Sequence, residues 1–261
     1  KLIPQRFSDC KNLKTCYTSD MIHHYKNKKG FTLAEVLITL GIIGVVAAMT
    51  LPSVINKYKI KQLRTAFLRS SSVIQNAANL TASEFGYGSF KELSSSMCGT
   101  VSKGDSAACK TSNQQKFEEI YSFFLSQFEI VKKYQSSNIL SLKLKVDNFS
   151  NLYEFNYSSL YGIDGNTGGL YLLKDNSAIS GMAFYHHEPS DGISITFDTN
   201  GPHKGPNRYG YDIFLYNTGT WYKLCTKNQD GNLYNGRGCY DYALKDVNPD
   251  DNTKGYWNSL Y

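Results

Sequence analysis

Lys28-Lys29-Gly30-Phe31-Thr32-Leu33-Ala34-Glu35 sets two cations, a residue without a Cβ and a single carboxylate just ahead of a long apolar run. Gly30 leaves the backbone unobstructed, as a narrow proteolytic cleft requires. Glu35 is the only acid between Phe31 and Asn56. A carboxylate one turn into an apolar helix either snorkels to the headgroups or meets a cation at the same depth, because an unpaired charge in hydrocarbon is costly. Elsewhere the residues that could do chemistry do not converge. His186-His187-Glu188 would point to alternating faces of a strand. No H-E-x-x-H helix, G-x-S-x-G elbow or C-x-x-C pair occurs, so no catalytic residue is assigned and the chain is read as no enzyme. Asp246-x-Asn248-x-Asp250-x-Asn252 offers oxygen ligands at alternate positions, as calcium loops do. The glycine and the final glutamate of an EF-hand are missing, and a solvated acidic turn is the expected reading. No cofactor is required, and calcium here, or near Asp230 and Asn232, is the one ligand to consider.

The element that must carry Glu35 is a helix. Val36 to Asn56 holds no charged side chain, and at about 1.5 Å per residue it extends roughly 30 Å, enough to cross a hydrocarbon core. Leu37, Ile38, Leu40, Ile42, Ile43, Val45, Val46, Ala47 and Ala48 cover every face, where a buried soluble helix would keep a polar stripe. After Pro52 the pattern turns amphipathic, with Ile60, Leu63, Phe67, Ile74 and Ala78 near one face. One helix is predicted from about Thr32 to about Ser83, ended by Gly86-Tyr87-Gly88.

The segment from Lys28 to Pro52 resembles the processing site of the type IV pilin and type II secretion pseudopilin superfamily. A secretory signal peptide would place its cleavable bond after the apolar stretch rather than before it. The resemblance implies that a membrane-embedded prepilin peptidase cuts Gly30–Phe31 and methylates the new Phe31 amine. It also implies that Glu35 pairs with that amine on a neighbouring subunit, so that copies stack in a staggered array. Gly44 to Pro52 corresponds to the stretch that can melt inside such filaments; a simple kink at Pro52, which lacks an N–H, is the alternative.

Charge is distributed unevenly. Seven of the 28 Lys/Arg and only two of the 22 Asp/Glu fall in residues 1–30, so +5 of the net +6 lies there. The remainder has almost no cationic field, and no nucleic acid is expected to bind the head. Lys57, Lys59, Lys61, Arg64 and Arg69 balance the basic residues before the apolar run, which silences the positive-inside rule. Orientation rests on cysteine instead. Cys98 with Cys109 and Cys225 with Cys239 are close pairs in sequence and suggest two disulfides of an oxidising compartment; this local pairing is one of three connectivities, and four free thiols are the alternative. Residues 1–30 read as a leader, of which 1–20 stand either as an upstream mis-start, with Met21 as the start, or as part of a longer leader; residues 31–56 read as the membrane and assembly helix, and 57–261 as the head.

Within the head, residues 89–111 read as a Ser/Gly-rich pinned loop, and a second helix is predicted from Ser112 to Tyr134, capped by Thr111 or Ser112. Phe117, Ile120, Tyr121, Phe124, Leu125, Phe128 and Val131 form its core stripe. Shorter periodicity predicts strands at 140–146, 169–173, 178–185, 193–198 and 212–216, the second and third joined as a hairpin. Asp198-x-Asn200-Gly201, Pro206-Asn207 and Gly210-x-Asp212-x-Phe214 look like the strand–loop–strand of pseudopilin heads. The tail from Lys223 shows little regular pattern, and the 20 Tyr of the chain are read mainly as hydrated surface.

The expected fold is α+β and pilin-like, a long N-terminal helix packed on a small antiparallel sheet. The resemblance implies a structural subunit of a type II secretion pseudopilus, assembling with like or related pilin-like subunits. It would be anchored by a single pass in a bacterial inner membrane, with its head in the periplasm or outside the cell. A type IV pilus or DNA-uptake pilin is the rival reading. A tethered module binding glycan or protein through its Tyr-rich tail is the reading from another class.

Overall fold

Thr32 and Glu35 start the first helix, and Leu33–Glu84 (α1) then continues without a break past Gly41, Gly44 and Pro52. The computed structural model describes residues 30–97, 113–134, 169–185, 192–219, 224–226 and 235–260. The predicted strand at 140–146, the pair Cys98 and Cys109, and His186 to Glu188 lie outside these residues. Two compact units are present, residues 1–53 and residues 54–261.

In the first unit, α1 presents apolar side chains to the outside on all sides: Leu33 is 80% exposed and Leu40 60%. In the second unit the same helix becomes one-sided, and Leu63, Phe67, Ile74, Ala77, Ala78 and Ala82 are buried. The sequence expectation of a helix that changes from all-round apolar to amphipathic holds on both counts.

The residues read as a pinned loop contain a short helix, Phe90–Ser96 (α2). Ser89 is extended and its Oγ accepts from the Glu92 N–H at 3.1 Å, while Gly88 N–H donates to Glu92 Oε2 at 3.0 Å. This is the S-x-x-E capping pattern, and it outweighs the Ser/Gly composition. The predicted second helix is shorter than expected. Gln114–Ser126 (α3) stops at Gln127, and Ile130–Tyr134 is a strand (β1). Its N-cap is Asn113, which makes no side-chain cap bond. Phe117, Ile120, Phe124 and Phe128 do enter the core, whereas Val131 is 60% exposed on the edge strand.

With β1, Leu170–Leu173 (β2), Ala178–Tyr185 (β3), Gly192–Asp198 (β4) and Ile213–Asn217 (β5) form a sheet of five strands among the described residues, in the order β1-β2-β3-β4-β5, each neighbour antiparallel. Every strand joins the one before it in sequence, so the sheet is a meander. The β2–β3 hairpin turns on Asn176, at φ +67, and Asp175 Oδ1 accepts from Ser177.

The tail is more ordered than its composition suggests. It supplies a helix, Tyr240–Lys245 (α4), and a 3-10 turn, Trp257–Ser259. Tyr240, Tyr256 and Trp257 of the tail are buried. Phe67 of α1 sits 4.3 Å from the ring of Phe214, 5.4 Å from Trp257, 5.6 Å from Tyr240 and 6.2 Å from Phe197, centroid to centroid. Tyr171, Tyr209, Tyr240 and Tyr256 are buried, contrary to the reading of tyrosine as hydrated surface. Each buried ring excludes water while its hydroxyl can still find a partner, the arrangement Tyr allows and Phe does not. Tyr240 meets Ser71 Oγ at 2.6 Å and accepts from Gln75 Nε2 at 2.8 Å, tying α4 to α1. Tyr256 donates to the Gly210 carbonyl.

Candidate functional site

Glu35 occupies the third position of α1, and its geometry follows from a local motif that the sequence reading did not use. Thr32 N–H donates to Glu35 Oε2 at 2.8 Å, and Thr32 Oγ1 donates to the same oxygen at 2.9 Å. In return, Glu35 N–H donates to Thr32 Oγ1 at 3.2 Å. T-x-x-E is thus a reciprocal capping box that satisfies two of the orphan N–H groups at the helix start. The spacing of Thr32 and Glu35 was the signal that could have revealed it.

This arrangement does two things for a chain lying in lipid. The carboxylate acquires donors from its own helix, so it is not left bare. It is also fixed one turn from Phe31, next to the bond expected to be cut. A Cβ added at Gly30 would meet nothing within 4 Å. Of the apolar side chains that follow, Leu33, Leu37, Leu40 and Ile43 are each more than half exposed and present a surface that water alone would not favour. By length and composition, α1 can cross a membrane. Pro52 offers no N–H to the carbonyl of Ala48, yet the helix is continuous through it.

In the head, the predicted pair Cys225–Cys239 is a disulfide, with its Cα atoms 5.0 Å apart. Both cysteines are buried, next to Tyr240 and the start of α4.

Within the Asp246–Asn252 turn, the side-chain oxygens of Asp246 and Asn248 already have protein partners. Asp246 Oδ2 pairs with Arg64 at 3.0 Å, and its Oδ1 accepts from Trp257 N–H at 3.3 Å. Asn248 Oδ1 accepts from the N–H groups of Asp250 and Asp251, a local turn. Asp251 holds Lys254 at 2.7 Å and accepts from Thr253. Those hydrogen bonds, Lys254 first, keep its carboxyl low, at about 2. Asn252 is exposed. Among the described residues, no three His, Cys, Asp or Glu side chains cluster as a metal site.

The strand–loop–strand between β4 and β5 is built around two acids. Asp198 and Asp212 are both fully buried. Asp198 Oδ1 accepts from the N–H groups of Asn200 and Gly201 at 3.0 and 2.9 Å. Asp212 accepts from Asn207 N–H and Arg208 N–H, each at 2.8 Å, and from Asn200 Nδ2 at 3.3 Å. Burial, and then the neighbouring Asp198, push the Asp212 carboxyl well above the usual carboxylate range, while these hydrogen bonds pull the other way. Gly201, at φ +84, brings the loop so close to the β2–β3 turn that a Cβ there would strike the Asn176 carbonyl at 2.1 Å.

Residues 25–51 match the family model described as the prokaryotic N-terminal methylation motif, which is the signature of type IV pilins and pseudopilins. The match spans the basic pair, Gly30, Phe31, the Thr32–Glu35 box and most of the apolar run, and stops short of the head. No curated protein and no solved structure matches the chain. The motif supports reading the chain as a pilin-like subunit and points toward a structural role.

Proposed function

We propose that this chain is a pseudopilin of a type II secretion system, cut between Gly30 and Phe31 and assembled through residues 31–56, with its head in the periplasm. The observation that carries the proposal is the Thr32–Glu35 box. It fixes one carboxylate at the start of an outward-facing apolar helix, inside a matched methylation motif. Cleavage would place a new ammonium on Phe31, at nearly the same depth as Glu35. An acid and an amine in lipid lower each other's cost by pairing, and pairing between copies would fix one axial stagger. Lys28 and Lys29 would hold the leader among anionic headgroups until the cut. The pseudopilin branch is preferred to a surface pilus because the Asp198–Asp212 strand–loop–strand is similar to that of pseudopilin heads.

The oxidising compartment is supported by the buried Cys225–Cys239 disulfide. The tethered-module reading loses its main support, since Tyr240 and Tyr256 of the tail have their rings in the core.

Two measurements test the proposal. Mass spectrometry of the chain from its native membrane should find an N-terminus at a methylated Phe31; retention of Lys28 and Lys29 would refute processing. Glu35→Val should insert in the membrane yet be absent from sheared filaments, while deletion of the chain stops protein export and leaves surface pili intact. Loss of pili with export unchanged would overturn the pseudopilin assignment in favour of a type IV pilin.

A further inference from the structure

Beyond the apolar run, α1 carries a stripe that the core does not use. Tyr58, Lys61, Gln62, Thr65 and Arg69 recur at three- and four-residue intervals and so share one side of the helix. The β4–β5 loop stands opposite them. Its residues Asn200, Lys204, Gly205 and Pro206 form the other wall of a groove of about 850 Å³, which also takes in Lys59. A groove of that size admits a small organic ion rather than a water or two. Its lining contains Lys59, Lys61, Arg69 and Lys204 and no Asp or Glu. Asp198 and Asp212, at the ends of the same loop, are fully buried and do not line it. Arg69 is held by Asp175 at 2.6 Å. Lys59, Lys61 and Lys204 are exposed and form no salt bridge among the described residues. Three cations therefore converge on one groove with no lining carboxylate to balance them.

We infer that this groove binds the phosphate diester of an anionic phospholipid, held by Lys59, Lys61 and Lys204 where α1 leaves the bilayer. Depth selects the lipid. Asn56 ends the uncharged run, and at about 1.5 Å per residue Lys59 and Lys61 follow it by roughly 4.5 and 7.5 Å along the helix. A headgroup layer is about 5–8 Å thick on each side of the hydrocarbon, so both side chains start at the level of the phosphates. Tyr58, 62% exposed in the same groove, is of the residue type that collects at that level. Lys suits the task, since its ammonium is a point charge with three donors on a flexible stem and can follow a mobile phosphate. Nucleic acid fits less well, because affinity for it is built from many phosphate contacts along a track and this groove offers few. An acidic segment of another chain would match the charge but not the depth. The inference rests on residues 31–56 being the membrane helix, and it gives the head a hold of its own on the bilayer. Lys204 makes this a site of the fold rather than of the sequence, since it reaches the groove from the β4–β5 loop, far along the chain from Lys59 and Lys61.

The full chain is reconstituted into bilayer discs of phosphatidylcholine carrying a minority of phosphatidylglycerol, and native mass spectrometry reads the ratio of the two lipids retained on the released chain. The parent should retain phosphatidylglycerol above its share of the disc. One cation at an anionic surface changes affinity about fivefold, so Lys59→Gln, Lys61→Gln and Lys204→Gln should each cut the enrichment about fivefold, and the triple variant should abolish it. All three side chains are exposed, so the variants should fold as the parent does. Lys91→Gln removes an exposed cation outside the groove and should change nothing. Retention of the two lipids in the disc's own proportion would overturn the inference. So would an unchanged enrichment in Lys204→Gln, which would leave only a basic flank of the membrane helix, or an equal loss in Lys91→Gln. Glycerol phosphate and a short DNA duplex are then added to discs of phosphatidylcholine alone. Glycerol phosphate, without acyl chains, should bind far more weakly than the lipid; equal binding would make this a site for soluble phosphates and overturn the proposal. Duplex binding that is lost in Lys204→Gln would assign the groove to nucleic acid and overturn it too. Failure of the membrane reading has a separate signature, release of the chain from its native membrane by alkaline carbonate. A chain that resists such extraction yet shows no lipid preference fails the groove alone.

Discussion

Replacing Phe67 by Ala tests whether the second half of α1 is the spine of the head. Phe67 is fully buried and touches four rings from β4, β5, α4 and the C-terminal turn, at centroid distances from 4.3 to 6.2 Å. Phe→Ala in a core costs about 3–5 kcal/mol, and the cost is highest where neighbours cannot collapse into the void. Here the four neighbours are held by four other elements and by the Tyr240 and Trp257 hydrogen bonds, so the upper part of that range, about 4–5 kcal/mol, is expected. For a unit of roughly 200 residues, each kcal/mol lowers the melting temperature by about 2–4 °C, giving a drop of roughly 8–20 °C. Differential scanning fluorimetry of the full chain in detergent measures it. Leu40→Ala is the control on the same helix: Leu40 is 60% exposed and should leave head unfolding unchanged. A drop below about 4 °C for Phe67→Ala, or equal drops for the two variants, would refute the assignment of α1 to two different environments.

Two further outcomes follow from the same packing. Removing the disulfide with Cys225→Ala and Cys239→Ala frees a loop closed at a sequence separation of 14, which on the chain-entropy model costs about 3 kcal/mol; an unchanged melting temperature would contradict it. Burial raises Tyr240 above its ordinary value and, together with Tyr240 and Asp241 beside it, lifts Tyr216 to about 12. Because the folded values exceed the unfolded value near 10, this stabilisation is complete below about pH 10 and is lost as pH rises toward about 12. Tyrosinate absorbance should therefore show a late-titrating group that joins the main transition only when the head unfolds, and a single transition in the native protein would refute the burial of these rings.

How much of this was legible beforehand depended on the range of the signal. α1 could be read because its determinants are local: an uninterrupted apolar run, then a 3.6-residue period, then glycines. The β2–β3 hairpin and β4 were likewise visible, since alternation and turn residues sit within a few positions of one another. The second helix was overextended because Phe128 and Val131 continue the helical spacing, although the chain has already turned at Gln127 into β1; spacing alone does not register where hydrogen bonding passes from helix to sheet. The short α2 was missed because two capping residues, Ser89 and Glu92, outweighed a loop-like composition.

The sequence by itself determined the processing motif, the lone acid and the membrane-length helix, because each is a property of consecutive residues. It also named the Asp198–Asp212 segment, but only as a pattern. That both acids are buried, that three oxygens of the loop lack partners, and that the tail's aromatics close over Phe67 were decided by the tertiary structure. Burial is set by what packs from distant positions: Tyr240 reaches Ser71 across 169 residues of chain. The Asp246–Asn252 loop had a cation-ligand spacing along the sequence, yet Arg64 and Lys254 already neutralise two of its carboxylates. Spacing shows which groups could meet an ion, and only the fold shows which of them are already engaged.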